Sequence, residues 1–156
     1  MAGAFVTIVY DDRGLVAMLD RLDRFGAQPL VDARDDIGEF LLFSTRERAA
    51  QQRDPDGNPW LPLSALYAKR KAKKRPNAPI LVYDFHLLGD RLAYDNDGRD
   101  LVFGTSAPYG AAQQWGTDDL PARPWLGLTP EDGAEIEQIL ADHEQQAIER
   151  DAGSEA

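Results

Sequence analysis

Two runs of helical spacing lie close together near the start of the chain. Leu15, Met18, Leu19, Leu22 and Phe25 recur at intervals of three and four residues, and after Pro29 so do Leu30, Ala33, Ile37, Phe40, Leu41 and Ser44. Only the short "GAQ" joins them, so the pattern predicts a helical hairpin. Asp11 or Asp12 can cap the first helix and Gly26 can end it. The polar "TRERAAQQR" is expected to carry the second helix outward.

The rest of the chain has to be arranged around that hairpin. "AFVTIVYDD" is rich in β-branched and aromatic residues and predicts a short strand over Phe5 to Tyr10. Residues 54 to 62 are dense in turn formers. Ser64 to Arg75 reads as helical, its end a solvated charge run closed by Pro76 and Pro79. "PILVYDFHLL" is an apolar run that periodicity cannot assign to a buried strand or a short helix. "DRLAYDNDGRDLVFGT" predicts a β-hairpin with arms Arg91 to Tyr94 and Leu101 to Gly104, turning at Asp97-Gly98. "APYGAAQQWG" reads as a short helix ended by Gly116, and "TDDLPARPWLGL" as extended or irregular. In the last helix Thr129 caps, Pro130 takes the first position, and Glu131 and Asp132 favour the positive end. Its inner face is Ile136, Ile139, Leu140, His143 and Ala147. The expected fold class is α+β: an N-terminal helical hairpin packed on a small antiparallel sheet, with a C-terminal helix. Residues 1–150 are expected to form a single domain and 151–156 a frayed acidic tail.

Composition narrows the chemistry. The chain has no cysteine, which excludes disulfides, thiolate metal sites and a cysteine nucleophile. No apolar run approaches the ~20 residues of a membrane span, and "MAGAFVTIVYDD" does not read as a signal peptide. The net charge of −10 is unevenly spread. "KRKAKKR" holds six of the 17 basic residues, and without them 11 remain against 27 acids, leaving −16 for the rest.

Lys69, Arg70, Lys71, Lys73, Lys74 and Arg75 therefore form one basic segment on an acidic body. Three readings are open for it: phosphate contact, docking onto an acidic neighbour or another copy of the chain, and a solvated loop held open by like charges. No aromatic residue interrupts the run, so base stacking is not indicated.

"DPDGNPW" invites a calcium reading and fails it. An EF-hand loop needs glycine at position six and a bidentate glutamate at position twelve. Counted from Asp54, glycine comes at position four and position twelve is Ala65. Asp54, Pro55, Asp56 and Gly57 instead read as a structural turn that sets Trp60 and Leu63 against the body. His86 and His143 read as core or half-buried histidines, and neither has a nucleophile beside it in a motif. Paired acids are abundant but follow from the composition. Walker, dinucleotide-binding and H-E-x-x-H motifs are missing, so no catalytic residue, metal ligand or cofactor is assigned.

"YGAAQQWGTDDLPARPWLGL" is the densest aromatic-and-arginine stretch, the composition of an interaction surface. Its candidate interface residues are Tyr109, Gln114, Trp115, Pro121, Arg123, Pro124 and Trp125. Arg123 is close enough in sequence to stack on Trp115 or Trp125, and at least one of these tryptophans is expected in the core.

The order of features resembles the phage virion morphogenesis, or tail completion, family of Mu-like contractile-tailed phages, from about Leu15 to His143. "QQRDPDGNPWLPLS" is similar to that family's Asp-Pro-x-Gly-x-x-Trp-x-x-Leu signature, and "LVFGTSAPYGAAQQWG" to its strand and Gln-x-Gly segment. "LPARPWLGLTPED" resembles its Pro-Ala-Arg-Pro-aromatic-Leu-Gly block. Two departures stand out: Gln113 where histidine is frequent, and "YDFHLL" where a Thr-Gly pair is common. The resemblance implies a structural, non-enzymatic protein that caps the head-proximal end of the tail and enables head–tail joining. It implies a homo-oligomer, a ring, between the tail tube and head–tail connector proteins. The basic segment would face packaged DNA or an acidic ring. No membrane partner is implied. The place of action would be the virion, after assembly in the host cytoplasm. The alternative is a nucleic-acid-binding accessory protein using residues 69–75.

Overall fold

A computed structural model describes residues 4–5, 13–84, 86–98 and 100–154. In chain order they form β1 (Ala4–Phe5), α1 (Arg13–Asp23), α2 (Ala27–Ala50), α3 (Ala65–Lys74), β2 (Leu92–Asn96), β3 (Leu101–Thr105), α4 (Gly110–Trp115) and α5 (Pro130–Ser154). The sheet order is β1-β3-β2, with β1 antiparallel to β3, Ala4 opposite Thr105 and Phe5 opposite Gly104. This is the expected α+β class. Of the strand read over Phe5 to Tyr10, residues 6–10 lie outside the described residues, as do the candidate caps Asp11 and Asp12.

The chain divides into two compact units. One comprises residues 4–5, Leu42–Ala93 and Phe103–Gly127; the other comprises residues 13–41, Tyr94–Val102 and 128–154.

The second unit is built on helix packing. Gly26, at φ +96°, ends the first helix as expected. α1 packs against α5. Leu22 and Leu140 are fully buried, and Leu30, Ala33, Ile37 and Leu41 on α2 and Ile136 and Ala147 on α5 are buried with them. Each large aliphatic side chain so buried contributes about 1.5–3 kcal/mol. The outer strand seats on α2 through Asn96, whose Nδ2 donates to the Val31 carbonyl (3.0 Å) and to Asp35 Oδ1 (2.8 Å). Gly38 permits that approach, because a Cβ there would lie 2.5 Å from the Tyr94 ring. The hairpin turns where expected: Gly98 has φ +84°, and Asp97 Oδ1 accepts the Asp100 N–H at 2.8 Å. α5 opens on a reciprocal cap. Thr129 Oγ1 accepts the Asp132 N–H (3.0 Å) and Asp132 Oδ2 accepts the Thr129 N–H (2.8 Å), which satisfies two orphan donors of the first turn. The helix then runs to Ser154.

The first unit departs from expectation at the end of α2. The helix continues through "TRERAA" to Ala50 with Arg46, Glu47 and Ala50 exposed, as expected, but Thr45, Arg48 and Ala49 are buried. Arg48 is accommodated because its guanidinium donates to the carbonyls of Trp125 (3.3 Å) and Gly127 (3.0 Å). Among its described residues, "PILVYDFHLL" is neither strand nor regular helix. His86–Asp90 make one wide turn closed by the Arg91 N–H on the His86 carbonyl at 3.0 Å, burying Leu87 and Leu88. Arg46 clamps it by donating to the Leu88 (3.1 Å) and Gly89 (3.2 Å) carbonyls.

Candidate functional site

Residues 121–129 have no regular secondary structure, and Pro121 and Pro124 have no N–H to give. Their backbone polar groups must still be satisfied, and side chains of distant segments do this. Gln114 acts as a one-residue ladder: Oε1 accepts the Trp125 and Leu126 N–H groups, each at 2.9 Å, and Nε2 donates to the Leu126 carbonyl at 2.9 Å. Trp125, 1% exposed, donates its indole N–H to the Gly110 carbonyl at 3.1 Å. Arg123, 3% exposed, donates to the carbonyls of Leu61 (2.7 Å) and Pro62 (3.0 Å). Its fork therefore binds backbone, in place of the expected stacking on a tryptophan.

The turn before Trp60 closes the same structure. Both carboxylate oxygens of Asp54 are used internally, Oδ1 by the Asn58 N–H (2.7 Å) and Oδ2 by Asn58 Nδ2 (3.2 Å). The Gly57 N–H reaches the Asp54 carbonyl at 3.0 Å, with Gly57 at φ +84°, so this is the turn that the spacing predicted. Asp56 is exposed. Pro55 lies so close to Gly127 that a Cβ there would be 2.6 Å from the proline ring. Trp60 is buried and donates Nε1–H to the Pro124 carbonyl at 2.6 Å. Residues 54–62 thus interlock with the two neighbouring stretches 105–116 and 121–127 around Trp125.

Beside this lies an open groove of about 690 Å³. Pro62, Leu63, Leu81, Val82, Leu87 and Leu120 give it apolar walls, and Tyr67, Tyr83 and Tyr109 are half-exposed along it. Lys71 and Arg123 line it as well. Ser64 caps the helix that carries Lys71 by accepting the Tyr67 N–H at 3.4 Å. Lys71 is 5% exposed and donates to the Pro79 carbonyl. Burial holds its ammonium below the ordinary value, and the charge of Arg123 pushes the same way. Burial lowers the Arg123 guanidinium too, partly opposed by Tyr67.

The matching family model covers residues 11–145 and is described as the phage virion morphogenesis family. The chain belongs to that family. It is 26% identical to "Tail completion protein S" of Escherichia phage P2 over 147 residues, 86% of this chain and 94% of that protein. It is 29% identical over 116 residues to "Mu-like prophage FluMu G protein 1" of Haemophilus influenzae, covering 71% of this chain and 79% of that protein. It is 32% identical over 88 residues to "Mu-like prophage FluMu G protein 2" of the same organism, covering 52% and 62%. No solved structure matches the chain. Membership places this morphogenesis-family protein in the building of phage particles, and the interlocked stretches are those that carried the resemblance.

The family member's candidate interface residues separate into two sets. Tyr109, Trp115 and Pro121 are exposed, Trp115 by 60%. Gln114, Arg123, Pro124 and Trp125 are engaged inside the unit. The basic segment separates likewise. It is helical through Lys74, as read, and Lys69, Arg70, Lys73 and Lys74 are exposed as a solvated charge run. Lys71 turns inward, and Arg75 pairs with Asp84 and stands over the Tyr83 ring at 5.4 Å. His86 is not a core residue: its side chain is 45% exposed and lies 3.0 Å from Asp90. His143 is half-buried as expected, 2.8 Å from Asp36. Sequence reasoning missed the inward Lys71, whose one local sign is the Tyr67–Lys71 spacing of a shared helix face. It also missed Gln113, whose buried Oε1 has no hydrogen-bond partner among the described residues. No helix among the described residues is long and apolar enough to cross a membrane.

Proposed function

We propose that this protein completes the phage tail as a structural subunit. It caps the head-proximal end, assembles as a homo-oligomeric ring, and there joins the tail tube to the head–tail connector proteins. The protein acts by assembly and not by catalysis. The observation that carries the reading is the match to the morphogenesis family over residues 11–145, together with likeness to a tail completion protein across 94% of that protein's length. The geometry is in keeping with it. The aromatic and arginine side chains of the family-like stretches brace irregular loops into a rigid unit, and exposed Tyr109, Trp115 and Pro121 remain at its surface. Lys69, Arg70, Lys73 and Lys74 also project from one helix, which suits contact with packaged DNA or an acidic neighbour.

Electron microscopy of tails made with and without this protein tests the reading. Without it, tails are expected to lack density at the head-proximal end and to be overlong or unjoined to heads. Normal, joined tails would sink the proposal.

A further inference from the structure

Two buried cations line the groove, and among the described residues neither is hydrogen-bonded to an acidic group. Lys71 and Arg123 are each more than nine-tenths buried, and the hydrogen bonds of both go to neutral backbone carbonyls. Among the described residues neither forms an ion pair. A buried charge without a counterion is costly, and a carboxylate brought to it gains correspondingly. The groove offers more than charge. Its walls are apolar, and Gln113, whose buried Oε1 lacks a donor, also lines it. Cations beside apolar walls suit a peptide segment bearing a carboxylate beside an aliphatic side chain. A nucleic-acid backbone supplies the anion but no aliphatic group to cover the apolar walls.

This chain carries such a segment. Ile148 on α5 is 44% exposed, and Glu149 and Asp151 beside it are exposed as well. Ile148 and Asp151 are three residues apart on a helix and so share a face. We propose that the groove lined by Lys71 and Arg123 receives the Ile148–Asp151 end of α5 from a second copy of the chain. The contact joins unlike surfaces, the head-to-tail geometry that closes into rings. It rests on the assembly reading above and names its interface.

The test uses the full-length protein, purified and in assembled tails. A photocrosslinking amino acid replaces exposed Tyr83 or Tyr109, and self-association is followed separately by sedimentation velocity. The expected result is a covalent dimer whose linked peptide comes from the C-terminal part of α5. Ile148→Ser and Asp151→Lys, both at exposed positions, should each weaken self-association by about tenfold or more. Lys71→Met should do the same if it folds; the α5 variants carry the test if it does not. An oligomer that forms without these crosslinks and ignores the α5 substitutions overturns this interface and leaves the assembly reading standing. Crosslinks to a different tail protein, or to DNA, overturn it in favour of that partner. A monomer in solution and in tails overturns both readings.

Discussion

The two compact units are held together by different means. In the unit containing α3 and α4, long-range side-chain-to-carbonyl bonds carry much of the structure: Trp60 to Pro124, Arg123 to Leu61 and Pro62, Arg48 to Trp125 and Gly127. In the unit containing α1 and α5, buried aliphatic residues on helices carry most of that work, beside bonds of the same kind, Asn96 to Val31 and Arg34 to Gly98, and the Arg21–Glu144 ion pair joins α1 to α5. Hydrogen bonds made by buried donors are worth most when their loss leaves a partner stranded, whereas exposed pairs are worth little. The braced unit should therefore respond sharply to single polar or aromatic substitutions, and the helical unit mainly to changes in volume.

Trp125→Ala should have the largest effect. It removes a side chain 1% exposed and the indole bond that ties residue 125 to the Gly110 carbonyl. A loss of about 3–5 kcal/mol is expected from the cavity alone. Urea titration would read it as a lower midpoint with an unchanged slope. Hydrogen exchange should speed up first at the backbone amides of positions 125 and 126, which depend on Gln114. A loss below about 1 kcal/mol would break the contrast, because it would mean that the loops hold without their central anchor.

Gly38→Ala sharpens the comparison from the other side. In an exposed helix interior the change would gain up to about 1 kcal/mol from propensity. Here the added methyl meets Tyr94 Cγ and Cδ2 at 2.5 Å, ring atoms close to the backbone and not a flexible tip. The ring also cannot swing away freely, since its hydroxyl donates to Glu39 Oε1 at 3.2 Å. Overpacking should outweigh propensity, with a net loss of about 1–3 kcal/mol by thermal or urea unfolding. A gain in stability would show that the hairpin strand yields to α2, and that packing does not limit the helical unit there.

How far all this could be read from the sequence depends on what signals it. α1, α2, α5 and the hairpin were legible because periodicity and local chemistry mark them: Gly26 after the first helix, Thr129-Pro130 before the last, Asp97-Gly98 at the turn. The turn at Asp54 and the anchoring of Trp60 were legible for the same reason. Their long-range partners were not. Arg48 bonds carbonyls 77 and 79 residues away, and a carbonyl acceptor has no sequence signature, since every residue has one. For that reason "TRERAAQQR" looked solvent-facing and the inward turn of Lys71 was hidden in a charge run. The groove also depends on the path of residues 79–84, where Leu81 sits at φ +62°, a conformation that an apolar run does not announce.

Arg21→Ala should have the smallest effect and gives the cleanest control. Arg21 Nε lies 2.7 Å from Glu144 Oε1, joining α1 to α5, and it looks on paper as firm as the contacts around Trp125. Its side chain is 44% exposed, however, and that of Glu144 keeps 20% of its surface in water. Water and salt can take over both partners, so the expected loss is about 0–1 kcal/mol, fading as ionic strength rises past the range where the screening length falls below about 8 Å. Paired urea titrations of wild type and Arg21→Ala at low and high salt would measure it. A loss above about 2 kcal/mol, or one insensitive to salt, would mean that the α1–α5 junction relies on a specific bond as the braced loops do. The difference between the two units would then lie in which residues make their bonds, and not in the kind of force that holds them.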